Sequence, residues 1–113
     1  MADNIYLDFS DGIKRVMNNT KLYVRLLGKF RNDTKLDELE AAMAEGDLER
    51  AQSIAHTIKG LAANLSLTEL FKQSLELETQ IKTKIVDPSQ MELLKITFDA
   101  TIIEVDKVIN ENG

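Results

Sequence analysis

The chain has 113 residues, of which 43% are hydrophobic and 29% are charged, and its formal net charge is −5. This length and composition fit one small globular domain, and no apolar run is long enough to cross a membrane. The absence of cysteine excludes disulfides and thiolate catalysis, and the scattered basic residues do not form the concentrated face that a nucleic-acid partner requires.

Apolar residues recur every three or four positions, a spacing that predicts α-helices and not strands. The first predicted helix covers about residues 5–17, although Gly12 lies inside it and could break it. The second covers about residues 21–31, with Asn19 or Thr20 as its N-cap. Both helices are amphipathic, so each is expected to bury one face.

The third and fourth predicted helices are separated by a short turn. The third covers about residues 35–45 and is followed by Gly46, in the position where a C-terminal glycine is expected. The fourth covers about residues 48–65, with Asp47 as its N-cap. It is the most informative segment, because it contains the only histidine.

The last two predicted helices have clear start signals. Ser66 and Glu69 fit a capping box ahead of the fifth helix, which continues to about residue 85. Asp87 followed by Pro88 predicts the start of the sixth helix, which continues to about residue 109. Both helices follow short connections, so successive long helices should run antiparallel.

We therefore predict an all-α fold: an antiparallel up-and-down four-helix bundle with one or two additional short N-terminal helices. It is expected to form a single domain over residues 1–113. The first twelve residues contain no basic stretch ahead of an apolar run, so a secretory signal is not expected.

His56 is predicted to face solvent. At about 100° per residue, the large apolar side chains of its helix point within about 60° of one another and define the buried face. His56 points roughly 190° away from their mean direction. These apolar residues are Ile54, Ile58, Leu61 and Leu65.

Small or flexible side chains surround His56 on this outer face. A glycine inside a helix is less stable than alanine by about 1 kcal/mol. A glycine beside the histidine therefore favours the close approach of another chain. The residues within two turns of His56 on this face are Glu49, Gln52, Ser53, Lys59, Gly60 and Ala63.

The chemistry of an exposed imidazole suggests a role for His56. Such a ring is mostly neutral and nucleophilic near pH 7, so it could accept a phosphoryl group on Nε2. Lys59, one turn away, could offset the charge of the phosphoryl oxygens. Glu78 could orient the ring through Nδ1, although a glutamate there is more often a surface or capping residue. No metal site is expected.

Three segments carry a resemblance to a known family. Residues 56–60, HTIKG, followed by the small residues of LAANL, resemble the H-x-x-K-G signature of histidine-containing phosphotransfer (HPt) domains. Residues 11–15 and 22–30 resemble the first helical stretch of the family, and Leu77-Glu78 resembles its Leu-Glu on the next helix. Ser66 stands where the family usually has glycine, and Asn18-Asn19 stands where Gly-Asp is common.

The resemblance implies a phosphocarrier without its own ATP site, not an enzyme. His56 would carry the phosphoryl group between receiver-domain aspartates, and Lys59 would stabilise it. The implied partners are response-regulator receiver domains and a sensor or hybrid histidine kinase. The receiver would supply Mg²⁺, so no cofactor is expected in this chain. The implied docking surface comprises Gln52, Ser53, Gly60 and Ala63.

We expect a cytoplasmic monomer with no nucleic-acid partner and no membrane insertion. Two other functions fit the same pattern. One is a passive helical interaction module in which His56 has no role. The other is the P1-type phosphoacceptor domain of a chemotaxis kinase, which shares the fold and a similar motif.

Overall fold

The computed structural model describes residues 5–112. Over those residues the chain forms six helices and no strand, which confirms the predicted all-α fold. The helices are α1 (Phe9–Arg15), α2 (Thr20–Arg31), α3 (Lys35–Glu45), α4 (Leu48–Leu65), α5 (Thr68–Thr83) and α6 (Gln90–Asn112).

The helices pack in a closed bundle around one core. Helix α4 packs against α3 and α5, whereas α6 packs against α5 and α2. Helices α1 and α2 also touch α4, which closes the bundle. The core is built from large residues that are almost completely buried: Tyr23, Leu27, Leu39, Ile58, Leu70, Leu77, Leu94 and Val105.

Several predicted helix ends are confirmed by their caps. The side chain of Asn19 accepts a hydrogen bond from the backbone N–H of Leu22, and that of Asp47 accepts one from Arg50. Gly46 adopts the left-handed conformation, with φ 72°, after the last residue of α3. The bounds of α3 and α4 are as predicted, because the capping residues Gly46 and Asp47 act within a few residues of the helix ends.

The prediction for the first helix was too long. Helix α1 begins at Phe9, after the N-cap Asp8, and it ends at Arg15. Gly12 does not break it. Gly12 is buried, and a Cβ atom built on it would lie 2.4 Å from Cζ of Tyr23. Position 12 has no room for a side chain, because the ring of Tyr23 packs against α1 there. Glycine therefore lets α1 pack close to α2.

The capping box predicted at Ser66 is wrong. Ser66 is the C-cap of α4 in the left-handed conformation, with φ 58°, and α5 begins at Thr68 without a side-chain cap. The Ser66 hydroxyl instead donates to Asp11 Oδ2 at 2.5 Å. A left-handed backbone at this position explains why glycine would suit it as well.

The last connection also differs from the prediction. Helix α5 ends at Thr83, and α6 begins at Gln90, two residues after Pro88. Asp87 still organises this start, because its Oδ1 accepts from both the backbone N–H and the hydroxyl of Ser89. The sixth helix then continues to Asn112, beyond the predicted end at residue 109.

Candidate functional site

The imidazole of His56 projects from the middle of α4. Its side chain is 67% exposed, as predicted from the helical spacing. Ala55, one residue before His56, and Ile58, two residues after it, are buried in the core. The backbone that carries the ring is therefore held by packing, while the ring itself is open to solvent.

Glu78 on α5 holds the inner edge of the His56 ring. Its side chain is only 4% exposed, and its Oε2 lies 2.9 Å from His56 Nδ1. A carboxylate can only accept here, so the contact places a proton on Nδ1 and leaves the lone pair of the neutral ring on Nε2. The nitrogen that is not held by Glu78 is therefore the nucleophilic one.

The second oxygen of Glu78 accepts a hydrogen bond from Lys59. The distance from Lys59 Nζ to Glu78 Oε1 is 2.7 Å, and the lysine side chain is 21% exposed. Lys82, one turn further along α5, lies 3.8 Å from Glu78 Oε2. The buried carboxylate is thus compensated by three groups, and Lys59 is held beside the histidine ring.

This arrangement sets the charge state of Glu78. Burial by itself would raise the pKa of its carboxyl, but hydrogen bonds from Lys59 and His56 lower it below the ordinary value. The carboxylate therefore stays ionised near neutral pH, which the contact with His56 Nδ1 requires.

Glu78→Gln is expected to change the acid dependence of stability. The pKa of Glu78 is lowered in the folded state, so its ionised carboxylate stabilises the fold. This contribution to the free energy of unfolding is fully present above the ordinary pKa of 4.5, and it is lost as the pH falls through the pKa of the folded protein. Urea unfolding at several pH values measures this. The stability difference between the wild type and Glu78→Gln should shrink as the pH falls.

The matched control is Glu76→Gln, which changes an exposed glutamate of the same helix. Its effect should be small at every pH. If the difference in unfolding free energy between the wild type and Glu78→Gln stayed constant from neutral to acidic pH, the proposed charge compensation would be contradicted.

The four predicted docking residues all lie on α4, the helix that carries His56. Gln52 and Ser53 share a shallow recess with His56, whereas Ala63 lines a separate groove near the end of α4. Gly60 is exposed, and a Cβ atom built on it would meet nothing within 4 Å. No contact within the described chain therefore requires glycine at position 60.

Sequence reasoning missed one residue of the recess around His56, Lys82 of α5. Glu49 and Lys82 line it together with Gln52, Ser53 and Glu78. The available signal for Lys82 was its spacing of four residues from Glu78, which places both on one face of α5.

Among residues 5–112, no group of three or more potential ligands could hold a metal ion. Over the same stretch, none of the helices has the length and apolar character needed to span a bilayer.

The fold and the site together define a helical-bundle protein with one exposed, nucleophilic histidine. The sequence model of the Hpt domain family matches residues 26–106, so the chain belongs to the Hpt domain family. Members of this family are phosphocarriers rather than kinases, and they transfer phosphoryl groups through histidine in phosphorelays. Comparison with curated proteins and with solved structures gave no match.

Proposed function

We propose that this protein carries a phosphoryl group on Nε2 of His56 and exchanges it with the aspartates of response-regulator receiver domains. The observation that supports this proposal most directly is the exposed ring whose Nδ1 is held by buried Glu78. The proposed partners are receiver domains and a sensor or hybrid histidine kinase, acting on a monomer with one domain over residues 1–113.

The proposed step is an in-line exchange between two nucleophiles. The Nε2 lone pair attacks the phosphorus of a receiver aspartyl phosphate, the N–P bond forms, and the bond from phosphorus to the aspartate oxygen breaks. The aspartate leaves as a carboxylate, and transfer to a receiver is the reverse step. The receiver would supply Mg²⁺, which neutralises the transferring oxygens.

Glu78 has a defined role in this step. As the N–P bond forms, positive charge develops on the imidazole ring, because the proton stays on Nδ1. The Glu78 carboxylate at 2.9 Å stabilises that charge and needs no reorganisation to do so. No other base is required to remove a proton, which fits a carrier that must run in both directions.

Lys59→Ala is expected to slow phosphoryl transfer by about tenfold or more. The reason is that Lys59 Nζ is held beside the ring and balances the charge that the phosphoryl group adds. The variant should keep its helical fold but melt at a lower temperature, because the buried Glu78 carboxylate loses a hydrogen-bond donor. The measurement is the initial rate of transfer from a phosphorylated receiver, together with a thermal melt.

The control for Lys59→Ala is Lys107→Ala, which removes an exposed lysine of α6. It should transfer at the wild-type rate. If Lys59→Ala also transfers the phosphoryl group at the wild-type rate, Lys59 has no role in the transfer step.

Gly60→Gln is expected to separate docking from the intrinsic reactivity of the ring. The variant should stay folded, because nothing in the chain lies within 4 Å of the new Cβ. It should react normally with a small phosphoryl donor but slowly with a receiver, whose loops must pass close to α4. The measurement compares the two rates with acetyl phosphate and with a phosphorylated receiver.

Gly60→Ala is the matched control, and it should raise stability by about 1 kcal/mol with little effect on docking. Exchange of Gly60→Gln with a receiver at the wild-type rate would show that position 60 is not approached closely. A wild-type protein that takes no phosphoryl group from any phosphorylated receiver would instead support the passive interaction module.

A further inference from the structure

Two lysines share the carboxylate of Glu78, but they are held differently. Lys59 Nζ donates a hydrogen bond to Oε1 at 2.7 Å. Lys82 Nζ lies 3.8 Å from Oε2, which is beyond hydrogen-bond distance, and its side chain is 57% exposed. Lys59 is therefore fixed on the carboxylate, whereas Lys82 is held there by charge alone and its exposed side chain is free to turn.

Among residues 5–112, Lys82 is the only lysine or arginine on the wall of the recess beside the His56 ring. That wall consists of four residues of α4 and two of α5: Glu49, Gln52, Ser53, His56, Glu78 and Lys82. Side chains of a helix tilt toward its N-terminus, so the ring leans toward the turn of Gln52 and Ser53, on the recess side. A phosphoryl group that projects over the recess therefore meets the ammonium of Lys82.

The oxygen that His56 and Lys82 share places this ammonium close to the ring. Glu78 Oε2 lies 2.9 Å from His56 Nδ1 and 3.8 Å from Lys82 Nζ, so Nζ is no more than 6.7 Å from that ring nitrogen. A flexible aliphatic stem carries the ammonium. A rotation of this stem brings Nζ to the oxygens of a phosphoryl group on Nε2, without any change in the backbone.

Phosphorylation changes the charge balance around the ring. A phosphoryl group brings about two negative charges and three strong acceptor oxygens. Lys59 cannot leave Glu78 at low cost, because a buried carboxylate that loses its hydrogen-bond donor is strongly destabilised. Lys82 can leave, because an exposed ion pair of this length contributes little to stability. Glu49 on the same wall adds negative charge, which increases the attraction of a cation to the recess.

We propose that Lys82 moves from Glu78 to the phosphoryl oxygens when His56 is phosphorylated, while Lys59 keeps its hydrogen bond to Glu78. This inference rests on the proposed function, and it identifies a second lysine that stabilises the phosphorylated state. The ammonium keeps its protons and donates hydrogen bonds, so no covalent bond of Lys82 changes. Lys82 then favours phosphohistidine in its equilibrium with the aspartyl phosphate of the receiver.

The test is the equilibrium constant for exchange of the phosphoryl group with a receiver. Docking accelerates the two directions alike, so a change in this constant reports the stability of the phosphorylated protein and not its contacts with the receiver. Lys82→Gln should shift the constant away from phosphohistidine at least about threefold, because a charge-assisted hydrogen bond is lost. The variant should fold, since this side chain is largely exposed.

Two further variants control for charge. Lys82→Arg keeps a cation with several donors, so it should restore most of the wild-type constant. Lys72→Gln removes an exposed lysine from the same helix, where it pairs with Glu69 at 3.2 Å. It lowers the net charge by the same amount as Lys82→Gln, and the constant should stay at the wild-type value.

A double-mutant cycle asks whether Lys82 acts only by compensating Glu78. In a Glu78→Gln background the carboxylate is gone, but the phosphoryl oxygens remain. Lys82→Gln should therefore still shift the constant at least about threefold there. NMR of the wild type tests the same contact without that background. The Cε and Nζ resonances of Lys82 should shift on phosphorylation, and those of Lys72 should not.

Four results would overturn this proposal: an unchanged constant in Lys82→Gln, an equal loss in Lys72→Gln, no effect of Lys82→Gln in the Glu78→Gln background, or unmoved Lys82 resonances. Each is measured on protein that carries a phosphoryl group, so each leaves the proposed function standing. A wild type that is phosphorylated neither by a receiver nor by acetyl phosphate would overturn both.

Discussion

Gly12→Ala is expected to lower the free energy of unfolding by about 2 to 4 kcal/mol. The added Cβ would lie 2.4 Å from Cζ and 2.5 Å from the hydroxyl of Tyr23. The ring cannot swing away, because Tyr23 is fully buried and its hydroxyl donates to the Leu65 carbonyl at 2.6 Å. Relief of the clash must break that hydrogen bond or separate α1 from α2.

Gly28→Ala is the matched control for this substitution. Gly28 also lies inside a helix, but a Cβ atom there would meet nothing within 4 Å. Alanine should therefore raise stability at position 28 by about 1 kcal/mol, through helix propensity alone. Urea unfolding compares the two variants. A Gly12→Ala protein as stable as the wild type would contradict the close packing of α1 on Tyr23.

His56→Gln is expected to abolish phosphoryl acceptance completely. His56 is the only histidine of the chain, and the glutamine amide is not a nucleophile at neutral pH. The fold should survive, because the ring is 67% exposed. The measurement is label transfer from a phosphorylated receiver, with a thermal melt of both proteins. A labelled His56→Gln protein would mean that another residue is the acceptor.

Local signals predicted a large part of this fold. The bounds of α3 and α4 follow from Gly46 and Asp47, which act within a few residues of themselves. The outward direction of His56 follows from helical periodicity along a single helix. Such features depend on the immediate neighbours in the sequence, so no tertiary contact was needed to predict them.

The errors lie where distant segments meet. Gly12 looked like a helix breaker, but it is required by Tyr23 of the next helix. Ser66 looked like an N-cap, but the chain uses it to end α4 and to donate to Asp11, 55 residues away. Propensity cannot distinguish these alternatives, because each depends on how α1 packs against the end of α4.

The sequence alone also could not predict that Glu78 is buried. A glutamate on the second helix of a pair can face solvent or the neighbouring helix, depending on how the two helices are rotated. Here α5 turns Glu78 toward α4, where it meets both Nδ1 of His56 and Nζ of Lys59. Its role in orienting the ring stays a prediction, and it is the part of the mechanism that the structure makes most specific.

The most direct measurement is therefore the position of the phosphoryl group on the His56 ring. The protein is phosphorylated by a receiver in the presence of Mg²⁺, and nitrogen and phosphorus NMR then identify the substituted ring nitrogen. Because Glu78 holds Nδ1 at 2.9 Å, the group is predicted on Nε2 of His56, in an adduct that acid hydrolyses. A phosphoryl group on Nδ1, or on any other residue, would contradict the account.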